Sequence, residues 1–335
     1  MVDHQPKLTS ADISNLWTSY VQGTMMVCGL KYFVAKVDDP DISSVLIYAL
    51  DIMQQHVETV TQIFNQENYP IPYGFTDEDV NENAPRLYSD TFFLMYILDM
   101  ARFMLPAYGL AGAVSARLDV VDFYRVSLDQ AQELHVRAKK LAFQKGVYVR
   151  SPEIPKPDQP DYVTSRSFLT GWFGDRRPLL GIEITNLTTN IERNAIGKAI
   201  IIGFSQVTRS KEVRKYMERG RDISQKHIEI FSSILGEEHL PAPMTLDHQV
   251  TDSTAPPFSD KLLMFHIAVL SASGIGQYGL SMSVSPRHDL GLHYVRLTAE
   301  IAKFSEDGAK MMIDKGWMEQ PPKAADRDQL AKRKH

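Results

Sequence analysis

Residues 51–60 read DIMQQHVETV and residues 222–231 read DISQKHIEIF, so one chain spells Asp-Ile-x-Gln-x-His-(Val or Ile)-Glu twice. Histidine beside carboxylates is the raw material of a metal site, but helical geometry separates these groups. At about 100° per residue, the Asp and the Glu lie about 20° apart on one face, and the His points about 140° away from the Asp. Asp51, Gln55, Glu58 and Gln62 then form a polar face, whereas His56 falls on the stripe of Ala49, Ile52, Met53, Val60 and Ile63. His227 lies in the same way among Gly220, Ile223, Phe231 and Ile234. Both stretches are expected to be amphipathic helices with an inward His.

The match extends outward from this helix. A displacement of 171 pairs Ser14-Asn15-Leu16 with Thr185-Asn186-Leu187, Phe33 with Phe204, and Pro70 and Pro72 with Pro241 and Pro243. It also pairs Ala84-Pro85 with Ala255-Pro256, after which one deletion makes the displacement 170. Ser89-Asp90 then meets Ser259-Asp260, Tyr108-Gly109-Leu110 meets Tyr278-Gly279-Leu280, and Gly146 meets Gly316. Such self-similarity implies one fold used twice.

Helical periodicity predicts helices over about 10–37, 41–67, 89–116 and 118–145, and again over about 180–208, 210–236, 259–285 and 287–315. Ser89 and Ser259 suit N-terminal caps, and Gly146 and Gly316 suit the left-handed residue that ends a helix. Four helices with a long crossover between the second and third is a ferritin-like layout. The expected fold is therefore all-α: two tandem ferritin-like four-helix bundles related by internal duplication. The first spans 1–150, a proline- and aromatic-containing ordered linker 151–178, the second bundle 179–322, and a basic C-terminal tail 323–335.

The 335 residues, 44% hydrophobic and 23% charged, suffice for two soluble domains. A net charge of −5 argues against a nucleic-acid binder. Cys28 has no partner for an internal disulfide, and Asp3, His4 and Pro6 do not begin a signal peptide, so synthesis in a reducing cytoplasm is expected. The apolar runs 91–116 and 262–285 are interrupted, the first by Asp99, Arg102 and Pro106 and the second by His266 and Gln277. They are expected to be buried helices, not transmembrane segments. Cys28 itself, in MMVCGL, reads as a buried thiol.

Dimetal ferritin-like sites use Glu-x-x-His, but the residues three before His56 and His227 are Met53 and Ser224. The fourth helices offer Glu133 with Val136 and Glu300 with Lys303. Glu183 and Glu192 on the fifth helix meet Asp12 and Val21 in the first. Without anionic ligands, iron or manganese is poorly served. The metal-ligand candidates are His56, His227 and His266, the last two as a pair on a single ion; no cofactor is expected. The competing expectation is a buried, hydrogen-bonded His in each half, with Tyr20 and Tyr96 as candidate partners in the first and His266 in the second. SGIGQYG at 273–279 lacks the strand and the Lys of a phosphate loop and is expected to be a small-residue helix contact.

The stretches GWFGDRRPLLGIEITNL, QKHIEIF, LPAP, FSDKLLMFH and MMIDKGWMEQPP resemble the domain-of-unknown-function family 3231 of spore-forming bacilli, and the last is also similar to spore coat protein F. The resemblance covers nearly the whole chain. It implies a tandem ferritin-like bundle, a link to sporulation or the spore coat, and no catalytic residue. The leading expectation is a non-enzymatic structural or interaction protein, a homo-oligomer or a partner of other spore-associated proteins. The alternatives are a metal-dependent oxidase or storage bundle, and a bundle holding a small apolar ligand or lipid between its third and fourth helices.

Overall fold

The computed structural model describes residues 6–171 and 176–332. The chain forms α1 (Ser10–Lys36), α2 (Pro40–Gln66), α3 (Asp90–Val114) and α4 (Leu118–Gln144), then α5 (Gly181–Val207), α6 (Lys211–Glu237), α7 (Asp260–Ser283), α8 (His288–Asp314) and a short α9 (Arg327–Lys332). No strand is present among the described residues, and the fold is an all-α duplicated bundle. In each half, α1–α2 and α3–α4, or α5–α6 and α7–α8, are tight antiparallel hairpins, and a long connection carries the chain from the second helix to the third.

The helix ends follow from local chemistry. Thr9 and Asp12 form a capping box on α1, and Ser89 and Ser259 accept the Phe92 and Leu262 amides at 3.1 Å. The adjacent carboxylates reach further: Asp90 accepts the Asp39 amide at 2.9 Å, and Asp260 accepts the Ser210 amide at 3.1 Å. Each first-turn Asp thus fastens the hairpin turn of its own half. Gly146 and Gly316 have φ of +68° and +67°, and the next amides, of Val147 and Trp317, bond back to Ala142 and Met312. That is the left-handed ending expected from the sequence. Asn68 and His239 play the same part after α2 and α6 at φ of +51° and +57°.

The two halves share a core. A single apolar cluster runs from Met25 and Phe33 on α1 through Phe92 and Ile97 on α3 to Ile200 and Phe204 on α5 and Leu263 and Ile267 on α7. Across the halves α3 packs on α5 and α1 on α7, a pseudo-twofold arrangement. The long connections clasp each other antiparallel, Val80 bridging to Phe258 and Tyr88 to Val250. The bonds are reciprocal: Ser89 N donates to Gln249 O at 2.9 Å, and Ser259 N donates to Asp79 O at 3.0 Å.

This clasp relocates the deletion. Val80 and Tyr88 correspond to Val250 and Phe258 at a displacement of 170, as do the short turns Asp77–Asp79 and Asp247–Gln249. The missing residue therefore lies after Pro72, and Ala84-Pro85 does not correspond to Ala255-Pro256.

α3 and α7 are long and apolar enough to cross a membrane by length and composition. In the fold they supply buried residues at the meeting of the halves, from Phe92 to Ala101 on α3 and from Leu262 to Ile267 on α7. Within 151–169 nearly every side chain is exposed, apart from the half-buried Pro152 and Phe168. Phe168 docks under the Arg177 guanidinium, whose carbon stands 4.3 Å from the ring centre. Tyr162, another aromatic of the linker, is 91% exposed, and Trp172 and Phe173 lie outside the described residues.

Candidate functional site

The periodicity of α2 and α6 places His56 and His227 inward, at 4% and 0% exposure. His56 Nδ1 lies 3.2 Å from the Tyr108 hydroxyl, and its Nε2 lies 2.7 Å from Gln130 Oε1. Since the amide oxygen can only accept, Nε2 carries the proton and Nδ1 accepts from the tyrosine. His227 has the equivalent pair: Tyr278 Oη at 3.0 Å from Nδ1, and Glu300 Oε2 at 3.1 Å from Nε2. Tyr108 and Tyr278, like Gln130 and Glu300, stand at a displacement of 170.

The expected partners were different. Tyr20 and Tyr96 do not satisfy His56, and His266 does not satisfy His227; the answering groups come from the C-terminal half of the third helix and the middle of the fourth. Antiparallel crossing sets that height on the bundle axis, and one-helix periodicity carries no such information.

Burial pushes the His56 imidazole down to about 4, against the opposing hydrogen bond to Gln130. His227 is also lowered by burial, with the Glu300 carboxylate working the other way. Glu300 is itself held low, despite burial, by Lys226 at 2.8 Å and by His227.

His266 sits elsewhere. Its Nε2 is 2.9 Å from the hydroxyl of Tyr96, its own counterpart at a displacement of 170, so this bond joins the halves near the pseudo-twofold axis. Burial pushes it down to about 4. His227 and His266 therefore have different partners and line different cavities. Among the described residues no group of three or more His, Cys, Asp or Glu is placed to hold a metal. Glu183 and Glu192, the carboxylates on α5, are taken up by arginines. Glu183 receives Arg177 through two nitrogens at 2.8 and 2.9 Å, and Glu192 receives Arg102 at 2.7 Å.

Several cavities flank the meeting of the halves. One of about 150 Å³ opens between α1, α3 and α7, and one of about 90 Å³ lies inside the second half beside His227 and Tyr278. Between the third and fourth helices, the position expected for an apolar cavity, the second half has one of about 210 Å³, lined by Met264 and Ala268 on α7 and by Gly308 and Met312 on α8 and reaching Trp17 on α1. Asp99 and Arg193 border the first two spaces, 3.6 Å apart. Their equivalents across the pseudo-twofold axis are Val269 and Gln22, so repeat matching gives no signal for this ion pair. In the SGIGQYG stretch, Gly274 borders the smaller cavity opposite Ile301, while Gly276 and Gly279 face open space, so the small residues are not all a helix contact. Cys28 donates to Thr76 O at 3.3 Å, and burial pushes the thiol up to about 12, which leaves it without nucleophilic character near neutral pH.

At the far end of each half lies a buried arginine that one-helix periodicity does not reveal. Arg117 is 2% exposed and grips Asp119 with two nitrogens, at 2.8 and 2.6 Å, and also Glu67. Arg287, 1% exposed, grips Asp289 and Glu238 in the same way. The repeated Arg-x-Asp was its visible signal.

A family model described as "Protein of unknown function (DUF3231)" matches residues 1–159 and again 167–330. The chain belongs to this family. The double match places one copy of the DUF3231 unit in each half, in agreement with the duplication seen in the helices. A solved structure from Bacillus halodurans C-125, described as a "putative spore coat protein", is 18% identical to the DUF3231 chain. It covers 45% of this chain and 98% of its own, with a TM-score of 0.42. No curated protein matches.

Proposed function

We propose that this chain is a non-enzymatic structural or interaction protein: two fused ferritin-like four-helix bundles that self-associate within a spore-associated assembly after synthesis in the cytoplasm. The observation that carries this reading is a pair of exposed apolar corners at equivalent places in the two halves. Leu110 and Val114 at the end of α3 are 68% and 48% exposed, and their counterparts Leu280 and Val284 are 58% and 39% exposed. Leu118 beside the first corner and Met282 beside the second extend them, at 79% and 40%. Exposed single apolar residues are ordinary, but two like corners on a pseudo-twofold frame give one molecule two related contact faces, which suits repetitive assembly.

The inward polar groups support the same reading. His56 and His227 are each held at both ring nitrogens by neighbouring helices. Such groups fix the register of the bundle and have little freedom to work on a substrate. The spore association rests on the likeness of MMIDKGWMEQPP to spore coat protein F. The test is light scattering across a dilution series together with a fluorescent fusion in sporulating cells. The expected result is an assembly heavier than the 37.9 kDa chain that Leu110→Glu with Leu280→Glu reduces to the monomer, and a signal on the developing spore. A strict monomer at every concentration, diffuse in sporulating cells, overturns the reading.

A further inference from the structure

The cavity of about 210 Å³ between α7 and α8 is walled by rings and thioethers, those of Trp17, Phe75, Phe265, Trp317, Met264 and Met312. Lys261, on the first turn of α7, is the cation of this wall. Its ammonium donates to Gly74 O at 2.8 Å and stands 4.7 Å from the centre of the Phe75 ring, and Gly74 and Phe75 line the same cavity. An ammonium carries three donors, so the carbonyl leaves two N–H groups for other acceptors. Among the described residues no carboxylate pairs with it. Glu319, the acid of the wall, is taken up by the Tyr73 and Gly74 amides at 2.8 and 3.2 Å. A half-buried ammonium answered by a neutral carbonyl and a ring gains most from a charged acceptor.

The repeat shows that these features belong to one half. At the places of Ala268, Ala309 and Met318 the first half has Leu98, Lys139 and Tyr148, and at the place of Lys261 it has Thr91. There Lys139 and Arg102 stand over the Tyr148 ring, at 5.3 and 5.8 Å. The smaller side chains and the cation therefore occur together, in the second half.

We propose that this cavity binds a small monocarboxylate with an aromatic body, the carboxylate accepting from Lys261. Volume sets the body: the cavity exceeds the engineered apolar one of about 150 Å³ that takes up benzene. The wall sets its character, because thioethers and rings make favourable contacts with an aromatic ring. Lys261 sets the head. An amine would meet its like charge, and an alcohol would leave the ammonium without a charged partner, whereas a carboxylate supplies one. Ala268 and Met318 on the wall are exposed, which gives a route in from solvent between α7 and the residues that follow α8. Neither Leu110 nor Leu280 belongs to the wall, so the site is independent of the corners assigned to self-association.

Calorimetric titration of the full-length chain at pH 7 with 3-phenylpropanoate, 3-phenylpropan-1-ol and 3-phenylpropylamine tests the assignment. The carboxylate is expected to bind saturably with one molecule per chain. The alcohol, which is neutral, and the amine, which is cationic, are expected to bind at least about tenfold more weakly, the scale of a hydrogen bond between charged partners. Lys261→Met keeps an unbranched apolar stem and should erase most of the preference for the carboxylate over the alcohol. Ala268→Leu puts on the wall the side chain that the first half has at the equivalent place, leaves Lys261 unaltered, and should weaken binding of the carboxylate at least about tenfold while circular dichroism shows an unchanged fold. The proposal is overturned by no saturable binding to the wild type, by an affinity for the alcohol or the amine equal to or above that for the carboxylate, by an undiminished preference in Lys261→Met, or by full binding in Ala268→Leu. Should Lys261→Met fail to fold, the three-ligand comparison in wild type and Ala268→Leu decides the matter.

Discussion

At the scale of a residue, His56 shows what burial does to a titratable group. Its pKa in the fold is about 4 and its ordinary value is 6.5, so between those pH values the unfolded chain binds a proton that the folded chain refuses. Stability must then fall as pH falls through that window and level off below it. Above pH 6.5 the imidazole is neutral in both states and adds no slope. From pH 7 to pH 5 the loss from this one side chain is on the order of 2 kcal/mol. Urea unfolding at pH 7, 6 and 5 checks it: His56→Gln should lose less stability over that range than the wild type. Equal pH slopes for the two proteins would show that His56 is protonated as readily in the fold as outside it.

At the scale of an element, the ends of the helix hairpins are secured by charge as well as by caps. Arg117 and Arg287 start α4 and α8 where no side-chain cap is made, and each draws together the preceding loop and the end of the second helix through Glu67 or Glu238. Removing a buried cation strands its carboxylates. Glu67 and Asp119 keep 27% and 32% of their side chains exposed, which tempers the penalty. Arg117→Leu is expected to cost about 2–4 kcal/mol in chemical denaturation. The control is Arg125→Ala on the outer face of α4, where a 63% exposed side chain pairs with Asp122, and it should cost under about 0.5 kcal/mol. Comparable losses from both variants would remove the case for a buried clasp.

At the scale of the whole molecule, the halves fit by exchanging volume across the pseudo-twofold axis. Tyr88 packs on Phe92 and donates to Ile200 O at 2.9 Å, passing so close to α5 that a Cβ on Gly203 would stand 2.7 Å from its Cζ. At the equivalent contact Gly203 is replaced by Tyr32 and Tyr88 by Phe258, and the two rings meet edge to face at 5.2 Å. A small-plus-large pair on one side thus answers a large-plus-large pair on the other. Gly203→Ala should therefore cost about 1–3 kcal/mol by overpacking. Combining it with Tyr88→Leu should cost less than the sum of the two single changes, because the clash disappears with the ring. Strict additivity in a thermal or urea double-mutant cycle would show that the two positions do not meet.

Periodicity and repetition, read in the sequence alone, determined the eight long helices, their ends at Ser89, Ser259, Gly146 and Gly316, the duplication, and the inward aim of His56 and His227. These are local properties: a 3.6-residue period and a cap are written within a few turns of chain. Only the tertiary structure decided that Tyr108 with Gln130, and Tyr278 with Glu300, answer the histidines. The same holds for Asp99 facing Arg193 across the halves and for the clasp that moves the deletion to a point after Pro72. Each of these depends on how far one helix slides along another and on which faces the two halves press together. Those quantities are set by the summed packing of side chains distant in sequence, and no single stretch of the chain encodes them.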